Sequence, residues 1–99
     1  MYTATFTFRI GKTDADFDRL NDAILEAAES NEGFVRREGW VSDDGRTRSV
    51  VYYWKSLEDL NRFSNHPIHL EAKRRYREWY EGYEVTVAQV VRQSSDQRL

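Results

Sequence analysis

The sequence predicts an α+β fold, a ferredoxin-like split βαβ arrangement with a four-stranded antiparallel sheet and helices on one of its faces. Three observations predict it. Apolar residues alternate with polar ones near both ends of the chain, a turn signature joins two further strand-like runs in the middle, and stripes at helical spacing fill the intervals between them. At 99 residues the chain has the length of one small domain, assigned to residues 1–93, with residues 94–99 as a mobile tail.

In the first strand Tyr2, Ala4, Phe6, Phe8 and Ile10 alternate with Thr3, Thr5, Thr7 and Arg9, and threonine itself favours extended backbone. Gly11 and Lys12 break this run, and Thr13 followed by Asp16 reads as a helix N-cap with a carboxylate reaching back. Phe17, Leu20, Ile24 and Ala27 or Ala28 then form the apolar stripe of a helix that ends over Ser30 to Gly33. Phe34 to Val41 and Arg46 to Trp54 read as a hairpin around Asp43-Asp44-Gly45, with Gly45 at the position that needs positive φ. Ser56 caps a short helix with Asp59 three residues on, and Leu57, Leu60 and Phe63 give it one apolar side. Pro67 suits a first helical position, because the N–H it lacks would be unpaired there. From it a helix is predicted to carry Ile68, Ala72, Tyr76 or Arg75, and Trp79 as its buried stripe, with Gly82 just past its end. Tyr83 to Val91 alternates as the last strand.

Three Trp, five Phe and six Tyr supply bulk for a core, and the absence of Cys excludes disulfides, thiolate metal sites and a cysteine nucleophile. Fifteen basic against seventeen acidic residues give no overall electrostatic footprint for nucleic acid or an anionic membrane. Nothing approaches the length of a membrane span and the first residues do not read as a signal peptide, so the expected location is cytoplasmic. The sheet has an unusual second face. Val51 and Tyr53 oppose Val50, Tyr52 and Trp54, while Thr86, Ala88 and Val90 oppose Val85, Val87 and Val91, so both faces read as buried. Helices cover only one, and a second subunit is expected over the other, giving a homodimer with sheets packed face to face.

His66-Pro67-Ile68-His69 places one histidine at a helix cap and the other in its first turn, where the helix dipole favours neutral imidazole. No further clustered ligand supports a metal reading. His69, Lys73, Tyr76 and Tyr80 read as one wall of a helix, facing Phe6, Phe8, Tyr52 and Trp54 across a cleft suited to a flat hydrophobic molecule; the same rings also suit a plain core. Arg36, Arg37, Arg46 and Arg48 fall on the two hairpin strands as a basic patch, with Glu38, Asp43 and Asp44 beside them to neutralise it. No Gly-rich phosphate loop or nucleophile elbow is present.

Trp54-Lys55-Ser56-Leu57-Glu58-Asp59-Leu60, Phe63, His66-Pro67-Ile68-His69, Ala72, Tyr76, Trp79-Tyr80 and Tyr83-Glu84-Val85 together resemble the antibiotic biosynthesis monooxygenase-like family. The resemblance spans essentially the whole chain and implies a dimeric α+β barrel. It further implies cofactor-independent oxygenation of a small aromatic, polyketide- or quinone-like substrate or, in a related branch, haem breakdown. Haem-degrading members carry an Asn on the first strand, a Trp on the short helix and a haem-ligating His on the next. The matching positions here are Thr5 or Thr7, Phe63 and Lys73, and all three depart from that set, leaving His69, one helical turn earlier, as the alternative ligand. On the cofactor-free reading His69 is the expected base or phenolate orienter and Tyr76 and Tyr53 its hydrogen-bonding partners. Phe6, Phe8, Tyr52, Trp54, Phe63, His66 and Trp79 are then the expected substrate-binding residues. A non-catalytic barrel that binds a small ligand is the remaining alternative.

Overall fold

The computed structural model describes residues 1–99. Its elements are β1 (Tyr2–Ile10), α1 (Ala15–Glu29), β2 (Phe34–Val41), β3 (Thr47–Trp54), α2 (Leu57–Ser64), α3 (Pro67–Arg75), a 3₁₀ turn (Tyr76–Glu78) and β4 (Tyr80–Gln89). The strands form one antiparallel sheet in the order β2-β3-β1-β4, the split βαβ topology predicted from the sequence. The hairpin turn carries Gly45 at φ 75°, where a side chain would be strained.

Three local readings are corrected. The cap of α1 is Asp14, whose Oδ1 accepts from the Phe17 N–H at 2.9 Å; Asp16 instead pairs with Arg75 and Arg19. Leu57, expected on the apolar side of α2, stands 42% exposed at its first turn, while Leu60 and Phe63 are buried. The helix after Pro67 ends at Arg75, so Trp79 and Tyr80 do not lie on it, and Gly82 is inside β4. Strand pairing explains the early stop. The Gly11 N–H donates to the Trp79 carbonyl at 2.7 Å and Tyr80 pairs with Ile10, which draws the aromatic-rich segment into the sheet at the expense of another helical turn.

Two bulges set which residues face the helices. Glu81 is the extra residue opposite Arg9 and Ile10, so Tyr80 and Tyr83, three apart, share the helix side. Val35 is the extra residue near Trp54, so Phe34 and Arg37 share that side while Arg36, Glu38 and Trp40 turn to the other.

The core forms two clusters between sheet and helices. Ala28, Trp54, Leu60 and Phe63 make one, and Phe17, Leu20 and Trp79 make the other. Arg75 ties the second together on its outside: it reaches Asp16, Glu71 and Glu78 at 2.9, 3.2 and 2.7 Å and lies over the Trp79 ring. The far sheet face carries Thr3, Thr5, Thr7, Ser49, Val51 and Tyr53, all half-buried within one chain, so the sequence-based view of that face as fully buried holds only in part. No helix is long and apolar enough to cross a membrane.

Asp14 does double duty, since its Oδ1 also accepts from the Trp79 indole N–H at 3.0 Å. Asp14→Ala is therefore expected to lose a cap and strand a buried donor, costing about 2–3 kcal/mol. A thermal melt followed by circular dichroism should show the Tm falling by roughly 10–20 °C.

Candidate active site

The helix side of the sheet presents an unbroken run of rings. Phe8 and Tyr80 approach at 4.6 Å, Tyr80 and Phe6 at 5.6 Å, Phe6 and Tyr83 at 5.7 Å, and Tyr83 and Tyr76 at 4.9 Å between centroids. A second run passes from Trp54 and Tyr52 through Phe63, at 4.9 and 5.2 Å, to His69 at 4.8 Å. The two runs meet through α3, because His69 and its C-cap Tyr76 are two turns apart on one side of the helix. On the β4 side the set is open, with Tyr83, Val85 and Val87 about half exposed.

His69 is the chemically distinctive member. Its ring meets the Phe63 ring edge-on, and its Nδ1 is enclosed without a hydrogen-bond partner. Burial, with the charges of Lys73 and His66 adding to it, pushes its pKa down to about 4, so the imidazole is neutral at pH 7 and offers an acceptor nitrogen. Two phenols flank this region. Burial raises Tyr80 to about 12, with the charge of Tyr52 adding to the effect, and burial also raises Tyr52, against the opposing charge of Arg37. Both therefore stay protonated and can donate a hydrogen bond to a developing oxyanion.

The structure places seven of the residues singled out from sequence in these two runs: Phe6, Phe8, Tyr52, Phe63, His69, Tyr76 and Tyr80. Trp54 stands behind Phe63, fully buried, with its Nε1 unpartnered. Trp79 is not a cleft wall: it packs on Phe17 and Leu20, and Asp14 takes its N–H. Tyr53 is on the opposite face of the sheet, where its hydroxyl donates to Glu38 at 2.7 Å under the Arg36 guanidinium, so it cannot partner His69. His66 uses its Nδ1 to accept from the Ile68 N–H at 3.1 Å and lines an open groove of about 690 Å³ between α1 and α2, beside Ala27, Asn31 and Arg62, which meets the ring set only at Phe63. Lys73 is also displaced from the expected wall, donating to the Ser64 carbonyl and hydroxyl at the end of α2. Tyr80 reaches the site from β4 and not from the helix, and Tyr83, not singled out from sequence as a site residue, joins it there because the bulge gives the two a shared face.

The haem-degrading residue set does not fit. Thr5 and Thr7 project from the sheet face away from the helices, Lys73 is tied to Ser64, and Phe63 fills the ring-packed position.

A family model described as monooxygenase af470-like matches residues 5–88. The chain is 32% identical over 93 residues to the Bacillus subtilis protein YqjZ, covering 93% of this chain and 81% of that one. Among solved structures it is similar to SnoaB, a cofactor-independent oxygenase from Streptomyces nogalater, with a TM-score of 0.77 at 18% identity over 97% of each chain. It is also similar to Rv0793 from Mycobacterium tuberculosis, with a TM-score of 0.76 at 18% identity over 96% of this chain and 100% of that one. At such identities the structural likeness establishes a common fold.

Proposed function

The chain belongs to the monooxygenase af470-like family, and on that premise we propose that it oxygenates a small phenolic aromatic, polyketide- or quinol-like, without a bound cofactor. The observation that carries this reading is His69: a neutral, half-buried imidazole with an unpartnered nitrogen, set edge-on against the Phe63 ring. A phenol stacked on Phe6 and Tyr52 would give its proton to His69, and the resulting anion would be electron-rich enough to react with dioxygen. Tyr80, kept protonated, donates to the oxyanion, and Tyr76 closes the β4 side. The electrons balance within the substrate: oxidising a ring CH₂ to a carbonyl releases four, one oxygen atom stays on carbon and the other leaves as water. The half-buried far face of the sheet, with its threonines, Val51 and Tyr53, supports a second copy of the chain packed there.

Anthrone, whose enol form is a phenol para to such a carbon, is the test substrate. The purified protein with a chelator present is expected to consume one dioxygen per anthrone and to place one labelled atom from ¹⁸O₂ in the product carbonyl. Binding without oxygen uptake would leave a ligand-binding barrel in place of an oxygenase.

A further inference from the structure

The four hairpin arginines, which in sequence form one neutralised basic patch, are sorted by the fold into two kinds. Arg36 pairs with Glu38 at 3.3 Å and Arg46 with Glu81 at 3.6 Å. Arg37 and Arg48 have no carboxylate partner within salt-bridge distance, and these are the two that face the helix side of the sheet. Arg37 is there because the bulge at Val35 turns it to the side of Tyr52, over whose ring its guanidinium lies at 6.0 Å. Arg48 is there because it pairs in register with Phe8.

Two of the three acids expected to neutralise them are engaged elsewhere. Glu38 is on the opposite face holding Tyr53 and Arg36, and Asp44 is tied into the turn by the Ser42 hydroxyl and the Arg46 N–H. Between the two arginines lies the register pair Gly39 and Val50, with Val50 next to Phe6. A Cβ at Gly39 would meet nothing within 4 Å, so the sheet surface between the two register positions is open.

We infer that Arg37 and Arg48 give the aromatic helix side of the sheet an anion-reading rim, and that the preferred ligand is an aromatic bearing a carboxylate, its ring against Phe6 and Tyr52 and its acid group paired with one of the two arginines. This rests on the aromatic-substrate reading above and narrows it to acidic aromatics. The chemistry suits the residues. A guanidinium presents a planar fork of donors to a carboxylate, and such charge-assisted pairs are about twice as strong as neutral hydrogen bonds. In a chain with net charge -2, two unpaired arginines on one apolar floor are a local feature and do not reflect overall charge.

The test compares 6-hydroxy-2-naphthoate with 2-naphthol by isothermal titration calorimetry at low salt, using the wild type and the Arg37→Gln/Arg48→Gln double variant. Both side chains are exposed, so the variant is expected to melt as the wild type does. The wild type is expected to bind the carboxylate about tenfold more tightly than the naphthol, with a preference that shrinks with added salt and falls to about one in the double variant. Equal affinities in the wild type, a preference that survives the double substitution, or no binding of either probe would overturn the assignment. A preference without oxygen uptake from any phenol would remove the oxygenase reading and leave the arginine pair standing. Oxygen uptake without a preference would do the reverse.

Discussion

His69→Gln is expected to lower the rate of oxygen uptake by about 10²- to 10⁴-fold, the range for losing a positioned general base. The far-ultraviolet circular dichroism and the hydrodynamic size should stay as in the wild type, because the ring contributes one edge contact to Phe63 and no hydrogen bond to the fold. Unchanged turnover would take His69 out of the chemistry. The pH behaviour is a separate signature. With the folded-state pKa down at about 4 against an ordinary 6.5, the unfolded chain binds a proton between those values that the folded chain does not. The stability held by keeping His69 neutral is thus complete above 6.5 and is lost as pH falls towards 4, by about 3 kcal/mol. Urea titrations from pH 7 to pH 4 should show a flatter acid limb in His69→Gln than in the wild type. In the active enzyme the acid limb of kcat/KM should lie near 4 and not near 6.5, since that profile reports the free base.

Trp54→Ala is expected to cost about 3–5 kcal/mol. Trp54 is fully buried and touches Phe34, Tyr52 and Phe63, so its removal opens a cavity under the aromatic run that ends at His69. For a domain of this size that corresponds to a fall in Tm of roughly 15–30 °C. Trp54→Phe provides the comparison. It keeps most of the ring volume and deletes the unpartnered Nε1–H, so the lost packing is offset in part and the cost should be well under half that of the alanine variant. Differential scanning calorimetry of the two variants reads this directly; equal losses would mean that ring volume is not what Trp54 contributes.

The strand part of the candidate site was legible because its residues follow a period fixed by the pleat. Phe6 and Phe8 alternate with threonines, so once β1 was recognised their common face followed. Alternation also separates Tyr52 from Tyr53, and that separation makes Tyr53 unable to work beside His69; choosing between the faces needed the helices, which pack on Tyr52 and Trp54. The Pro67 start of α3 and the His66 cap were local consequences of a proline at a first helical position, whereas the half-burial of His69 comes from its packing on Phe63 of α2. The end of that helix was not local. Nothing between Arg75 and Tyr80 forbids another turn; the halt comes from pairing with Ile10 and Gly11, some seventy residues away in sequence.

The sequence by itself determined the order of strands and helices, the hairpin and its glycine, and the aromatic content of the sheet, because periodicity, capping and turn chemistry act over a few residues. Only the tertiary structure decided which charged and polar groups share the helix side of that sheet with the rings. Two single-residue bulges, at Val35 and Glu81, shift the alternation across them by one residue, placing Arg37 beside Tyr52 and putting Tyr80 on the same side as Tyr83. A bulge is set by how two distant strands settle against each other and against the helices above them. Its effect on every later residue of the strand is therefore a property of the packed sheet, absent from the alternation that announces the strand.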